Sequence, residues 1–231
     1  MKILPIKIEN LSYTIKDSEI LKNINIYSDE KKITIIAGNN GSGKTTLLKF
    51  MHGLIEDPSN SISWGSNSIR EIKEQQSMVF QTPILLNRTT FENILYVAKK
   101  KKVNKKHSVN KIIEKLNLES ISNTDARYLS GGEKQKVAIA MSIIGNPTII
   151  FLDEPTSQLD PVYKNEIESI ISELSKDGTK IFMTSHDISQ IKRIGEEIIF
   201  LDKGEIIFNG KLIEFLNQDI SNVIKNYISY G

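Results

Sequence analysis

The chain has 231 residues, 30 Lys and Arg against 28 Asp and Glu, a formal net charge of +2, and no cysteine. A chain this long buries enough surface to fold without a disulfide or metal staple, and the missing thiols exclude disulfides, thiolate metal sites and cysteine nucleophiles. The near-balance of charge argues against a chain built mainly as a nucleic-acid glove.

The N-terminal stretch MKILPIKIEN has no apolar core of the kind a secretion signal needs. Nowhere does an apolar stretch approach the roughly 20 residues of a membrane-spanning helix. The chain is therefore expected to be soluble and cytosolic, so that work at a membrane would need another chain to bring it there.

Ile6-Lys7-Ile8 and Ile20 to Ile26 alternate like strands. Lys32 to Ala37 is a third strand, running into a glycine-rich loop. Thr45 to Met51 then reads as a helix stopped by Gly53. Thr90 to Lys102 and Val109 to Leu118 have helical spacing of Ile, Leu and Val. Between them, Lys99 to Lys106 (KKKKVNKK) shows no apolar periodicity. This run reads as a solvated surface loop rather than a nucleic-acid or lipid site, because no aromatic residue interleaves it. Gly132 to Ile144 is a further helix, ended by Gly145-Asn146-Pro147. Residues 82–145 thus read as a mostly helical insertion.

Strands and helices alternate again beyond it. Thr148 to Leu152, Thr179 to Thr184 and Glu197 to Leu201 are short apolar strands, and Lys203-Gly204 turns the last into Glu205 to Phe208. Val162 to Lys176, Ile188 to Ile194, Leu212 to Leu216 and Ile220 to Ile228 read as helices. The pattern implies an α/β core with helices on both faces of the sheet. No Pro/Gly/Ser linker divides it.

Gly38-Asn39-Asn40-Gly41-Ser42-Gly43-Lys44-Thr45 fits G-x-x-x-x-G-K-[ST] in full, between a strand and a helix. Its glycines let the backbone wrap closely and point N–H groups at phosphate oxygens. The helix that follows aims the positive end of its dipole at the same anion. Lys44 supplies a point charge and the Thr45 hydroxyl a Mg²⁺ ligand. Asp153-Glu154 ends an apolar strand, at the sheet edge where α/β proteins hold ligands. Alone, such a pair more often starts a surface loop. Beside a phosphate loop, Asp153 reads as the Mg²⁺ carboxylate and Glu154 as the group polarising the attacking water. Ser130-Gly131-Gly132-Glu133, opening a helix, makes a second anion site. One chain does not need two sites for one terminal phosphate, so this one is expected to serve a nucleotide on another subunit.

These motifs resemble, over nearly the whole length, those of the ATP-binding cassette (ABC) ATPases. The signature reads LSGGE, where LSGGQ is commoner, so Glu133 departs from the family pattern. The resemblance implies that Tyr13 stacks on adenine, that Gln81 senses the γ-phosphate and contributes to the Mg²⁺ site, and that His186 is the switch histidine. It implies that Ser157-Gln158-Leu159-Asp160 crosses a dimer interface. The implied fold is a RecA-like P-loop NTPase core with an antiparallel β subdomain (1–81 and 146–231) and an inserted helical subdomain bearing the signature (82–145). Two such units, expected to be identical copies, would hold ATP and Mg²⁺ between residues 38–46 of one, Thr46 included, and Ser130 to Glu133 of the other.

The same resemblance implies ATP hydrolysis driving a transporter with separate transmembrane permease subunits, received around Gln81 to Asn93, at the cytoplasmic face of the membrane. The segment Met78 to Arg88 is similar to the ATPase subunits of tungstate-type oxyanion importers. That adds a substrate-binding protein and an oxyanion cargo to the expectation. The alternative is a soluble ABC ATPase assisting protein or cofactor assembly. A nucleic-acid-acting member usually has two fused cassettes or a long coiled-coil insertion, and neither is present.

Overall fold

The computed structural model describes residues 3–65, 67, 69–103, 105–217 and 222–230. A hairpin, β1 (Ile6–Ile15) and β2 (Ser18–Ser28), precedes β3 (Ile33–Ala37), which leads through the glycine-rich loop into α1 (Lys44–His52). β4 (Ile62–Trp64), α2 (Ile69–Ile72) and β5 (Gln76–Val79) follow. Then come α3 (Thr90–Lys100), α4 (Lys105–Lys115) and α5 (Gly131–Ile143). The chain continues with β6 (Ile149–Leu152), α6 (Pro161–Lys176), β7 (Lys180–Ser185), α7 (Ile188–Ile194), β8 (Glu197–Asp202), β9 (Glu205–Lys211), α8 (Leu212–Asn217) and α9 (Asn222–Tyr230).

Among the described residues the strands form two sheets. One has the order β2-β1-β4 and is antiparallel. The other has the order β5-β6-β7-β3-β8-β9, with β5 through β8 parallel and β9 antiparallel at the edge. Side chains alternate across a strand, so an apolar strand needs cover on both sides. Ile36, Phe151, Phe182 and Ile199 face a core shared with β1, β2, β4 and α1. Ile35, Ile150, Met183 and Phe200 face the opposite core, made with α3 to α9. Neighbouring residues of one strand thus serve two different cores.

Helix starts follow local chemistry. Thr89 and Glu92 form a capping box at α3, and Ser130 and Glu133 form one at α5. Asp160 caps α6 with Pro161 in its first turn, and Asp187 caps α7. Gly53, in the left-handed region, ends α1.

Three differences from the sequence reading have physical causes. β4, α2 and β5 are too short to show periodicity; β4 is a strand because Trp64 pairs with Ile6 and is fully buried. The lysine run is largely helix ends, with Lys99 and Lys100 closing α3 and Lys105 opening α4. Lysine is a good helix former, and cations suit the last turn of a helix. The helix read at Val109 to Leu118 therefore begins earlier, while Asn104 lies outside the described residues. Of the terminal helix read at Ile220 to Ile228, Ile220 also lies outside them, and α9 begins at Asn222.

Candidate active site

The loop between β3 and α1 bends at three glycines of positive φ, Gly38 (143°), Gly41 (79°) and Gly43 (105°). At Gly38 a Cβ would stand 2.1 Å from the Leu201 carbonyl oxygen, so only glycine fits this approach to β8. Lys44 is almost fully buried and folds back over the loop, donating to Gly38 O (2.8 Å) and Asn39 O (3.0 Å). Burial pulls its pKa down, against the opposing pull of Glu154 and Asp153. Asn39 to Thr46 lead from this loop into the first turn of α1. A cavity of about 370 Å³ over the loop is lined by Ile20, Asn40, Gly41, Gly43, Lys44, Thr45, Thr46 and Glu154.

The C-terminal ends of β6 and β7 bring the acids to the loop. Thr45 Oγ1 donates to Asp153 Oδ1 (2.8 Å), across 108 residues of sequence. Thr184 Oγ1 donates to the same oxygen (2.8 Å) and accepts from Glu154 N (2.8 Å). Thr45 and Asp153 are oxygen donors suited to Mg²⁺, which is usually held by one or two protein ligands together with phosphates and water. Gln81 is the third predicted ligand; its amide instead meets Glu154 and Ser157, donating to Glu154 Oε2 and Ser157 Oγ (both 3.2 Å).

Glu154 stands in an unusual backbone conformation. Its φ is 43°, a left-handed conformation that costs a non-glycine residue about 1–2 kcal/mol. The Glu154 Oε1 atom lies 3.1 Å from His186 Nδ1. An ionised carboxylate only accepts, so Nδ1 is the donor in that contact. Glu154 also lines a second cavity of about 400 Å³, with Thr156, Ser157, Lys164, Ser185, His186, Asp187 and Gln190.

Other predicted residues lie elsewhere. Ser130, Gly131, Gly132 and Glu133 line neither cavity. Glu133 Oε2 accepts from Ser130 N (2.7 Å), and Ser130 Oγ accepts from Glu133 N (3.3 Å). Asp160 Oδ1 accepts from Val162 N (2.9 Å) and Tyr163 N (3.1 Å) as a helix cap. Tyr13 packs edge-on against Phe50 of α1, ring centroids 4.9 Å apart. Ser157, expected at the dimer interface, instead lines the cavity beside Gln81, and Ile20, Lys164, Thr184 and Gln190 are not singled out by the sequence. They are ordinary residue types whose place is set by long-range packing, and no local pattern marks them.

The model of the family described as ABC transporter matches residues 21–157, which include the glycine-rich loop, the LSGGE helix and the Asp153-Glu154 strand. The chain belongs to the ABC transporter family. Among curated relatives, the tungstate uptake system ATP-binding protein TupC of Peptoclostridium acidaminophilum is 34% identical over 207 residues, covering 88% of this chain and 97% of the relative. The arginine transport ATP-binding protein ArtM of Bacillus subtilis (strain 168) is 31% identical over 236 residues, covering 96% and 98%. A solved dimeric structure of the ATP-binding cassette MJ0796, in a post-hydrolysis state bound to ADP and Pi, superposes with a TM-score of 0.77. It is 28% identical and covers 90% of this chain and 98% of that one.

This ABC ATPase therefore has a mixed α/β, RecA-like architecture and the chemistry of ATP hydrolysis. Among its described residues no helix is long and apolar enough to cross a membrane.

Proposed function

We propose that this cassette hydrolyses ATP at the β3–α1 loop and drives an importer whose transmembrane permease subunits are separate chains. The reading rests on Glu154. Its carboxylate is 3.1 Å from His186 Nδ1 and 3.2 Å from Gln81 Nε2, one residue after the Asp153 that accepts from Thr45.

Backbone N–H groups of Gly41 to Lys44 bind the phosphates, and Lys44 turns an ammonium hydrogen from a loop carbonyl to them. Thr45 and Asp153 would hold Mg²⁺, with the amide oxygen of Gln81 as a further ligand. When bound, Mg²⁺ would neutralise charge on the phosphates. Glu154 orients the attacking water and takes up its proton, and His186 meets the γ-phosphoryl group. Catalysis is mainly positioning and charge stabilisation.

Ser130 and Gly132 of a second copy would close the site, with Asp160 at the contact and Tyr13 against the base. ATP favours closure because its γ-phosphate touches both copies, and hydrolysis removes that bridge. In this scheme residues 82–145 form the helical lobe that moves with the signature, and 1–81 with 146–231 form the core. The exposed Ile84 and Leu86, just beyond Gln81, suit an apolar permease contact at the cytoplasmic face of the membrane. An oxyanion such as tungstate is the proposed cargo, delivered by a substrate-binding protein. TupC supports it, whereas ArtM is named for arginine.

Capture of Glu154→Gln with Mg-ATP from detergent-solubilised native membranes tests the transport reading. A multi-span permease is the expected partner. Soluble partners alone would leave the ATPase and remove the transporter.

A further inference from the structure

Gln190 is buried on α7 at 2% exposure, and its amide is fully engaged. Its Oε1 accepts from Ser185 Oγ (2.9 Å), while Nε2 donates to Thr156 Oγ1 (2.6 Å) and to Glu168 Oε1 (3.0 Å). Those partners are buried as well, at 3% for Ser185, 4% for Thr156 and 5% for Glu168. Glu168, on α6, is gripped by Arg193 of α7 through Nε to Oε2 and Nη2 to Oε1, both 2.8 Å. Turning the amide over would set its oxygen against the Glu168 carboxylate, two acceptors facing each other, so the orientation is fixed by chemistry.

The amide joins two places that matter. Thr156 lies two residues after Glu154, and Ser185 immediately precedes His186. Asp187 reinforces the second, its N–H donating to Ser185 Oγ (3.1 Å) and its Oδ1 accepting from Gln190 N (3.1 Å). Glu154 sits in a left-handed conformation at φ 43°, which persists only when the surroundings hold it. On the sheet side Thr184 Oγ1 accepts from the Glu154 N–H. Beyond it, Ser157 N and Oγ donate to Glu154 O, and Gln190 Nε2 fixes the intervening Thr156 through its Oγ1.

We propose that Gln190 is a positioning residue for hydrolysis. It ties the segment bearing Glu154 to the segment bearing His186, with the Arg193–Glu168 pair as its fixed backing. The proposal rests on the catalytic reading of Glu154 and His186 given above. Gln190 acts through its partners, by keeping the carboxylate and the imidazole in contact while the γ-phosphoryl group is transferred. Misplacing a reacting group by about 1 Å can cost ~10²-fold in rate, so a loosened tie should appear in kcat.

The test is Michaelis kinetics of ATP hydrolysis for Gln190→Met, Thr156→Val and the double variant, beside wild type and Glu154→Gln. Each single change should lower kcat about 10-fold and leave KM for ATP within about twofold, and the double should be no worse than the poorer single, because both cut one link. Losses that multiply in the double, a kcat for Gln190→Met near wild type, or a KM that rises as kcat falls would each overturn the proposal. Should Gln190→Met fail to fold, Ser185→Ala removes the tie on the His186 side by a smaller change. Its kcat should fall several-fold at constant KM, and wild-type turnover there would refute the inference. An active Glu154→Gln would instead sink the catalytic reading itself. An inactive Glu154→Gln with a fully active Gln190→Met would sink only the inference about Gln190.

Discussion

A Cβ placed on Gly132 would stand 2.3 Å from Cγ of Tyr163 and 2.5 Å from its Cδ1. The ring of Tyr163, in the first turn of α6, lies directly on the backbone that opens α5. The signature glycine is thereby a packing requirement within one chain, apart from any role toward a nucleotide. Gly132→Ala should destabilise the fold by about 1–3 kcal/mol through overpacking. Urea unfolding measures it, and Gly132→Ala with Tyr163→Leu should recover part of the loss. No recovery would mean that the ring is not what the methyl meets.

Glu133 closes a capping box on Ser130, its carboxylate 2.7 Å from Ser130 N. Glutamine closes the same box without the charge. Glu133→Gln should therefore leave stability within about 0.5 kcal/mol, the range of changes that remove no packing or cap. A phosphate approaching this helix start would no longer meet a carboxylate. ATP-dependent dimer formation should strengthen several-fold, as read by sedimentation with Mg-ATP. Weaker dimers would show that the carboxylate aids closure.

Lys44 donates to two loop carbonyls and lies under the influence of both acids. Lys44→Ala should reduce kcat/KM for ATP by about 10²–10³-fold, the scale of losing one preorganised charge-stabilising donor. Nucleotide titration should place much of that loss in binding. Near-normal turnover would refute the role given to this ammonium group.

Burial pushes the His52 pKa down to about 4 from its ordinary 6.5, and Lys73 and Lys101 add to the effect. The ring packs edge-on against Phe151, 5.6 Å between centroids. The unfolded chain takes up this proton as pH falls through 6.5, whereas the folded chain takes it up only near 4. Stability from this group is thus complete above pH 6.5 and declines down to about 4. His52→Leu should flatten the dependence of the urea midpoint between pH 7 and 5. An unchanged slope would place the titration elsewhere.

Much of the chemistry is local, and so legible in order along the chain. Gly38 to Thr45 reads as a phosphate loop because its glycines, lysine and threonine stand within eight consecutive residues. Ser130 with Glu133, and Asp160 with Pro161, write their own helix starts through caps that span three residues or fewer. The alternation of short apolar strands with helices settles the α/β class, since such strands need cover on both faces. What the sequence could not display is distance between residues far apart in it. β4 is a strand because Ile6 pairs with Trp64, and β5 because β6 lies beside it. Thr45 reaches Asp153 across 108 residues, and Gln190 reaches Thr156 across 34. The left-handed turn at Glu154 is likewise set by tertiary structure, because glutamate has no local preference for it and contacts such as that of its N–H with Thr184 on β7 hold it there.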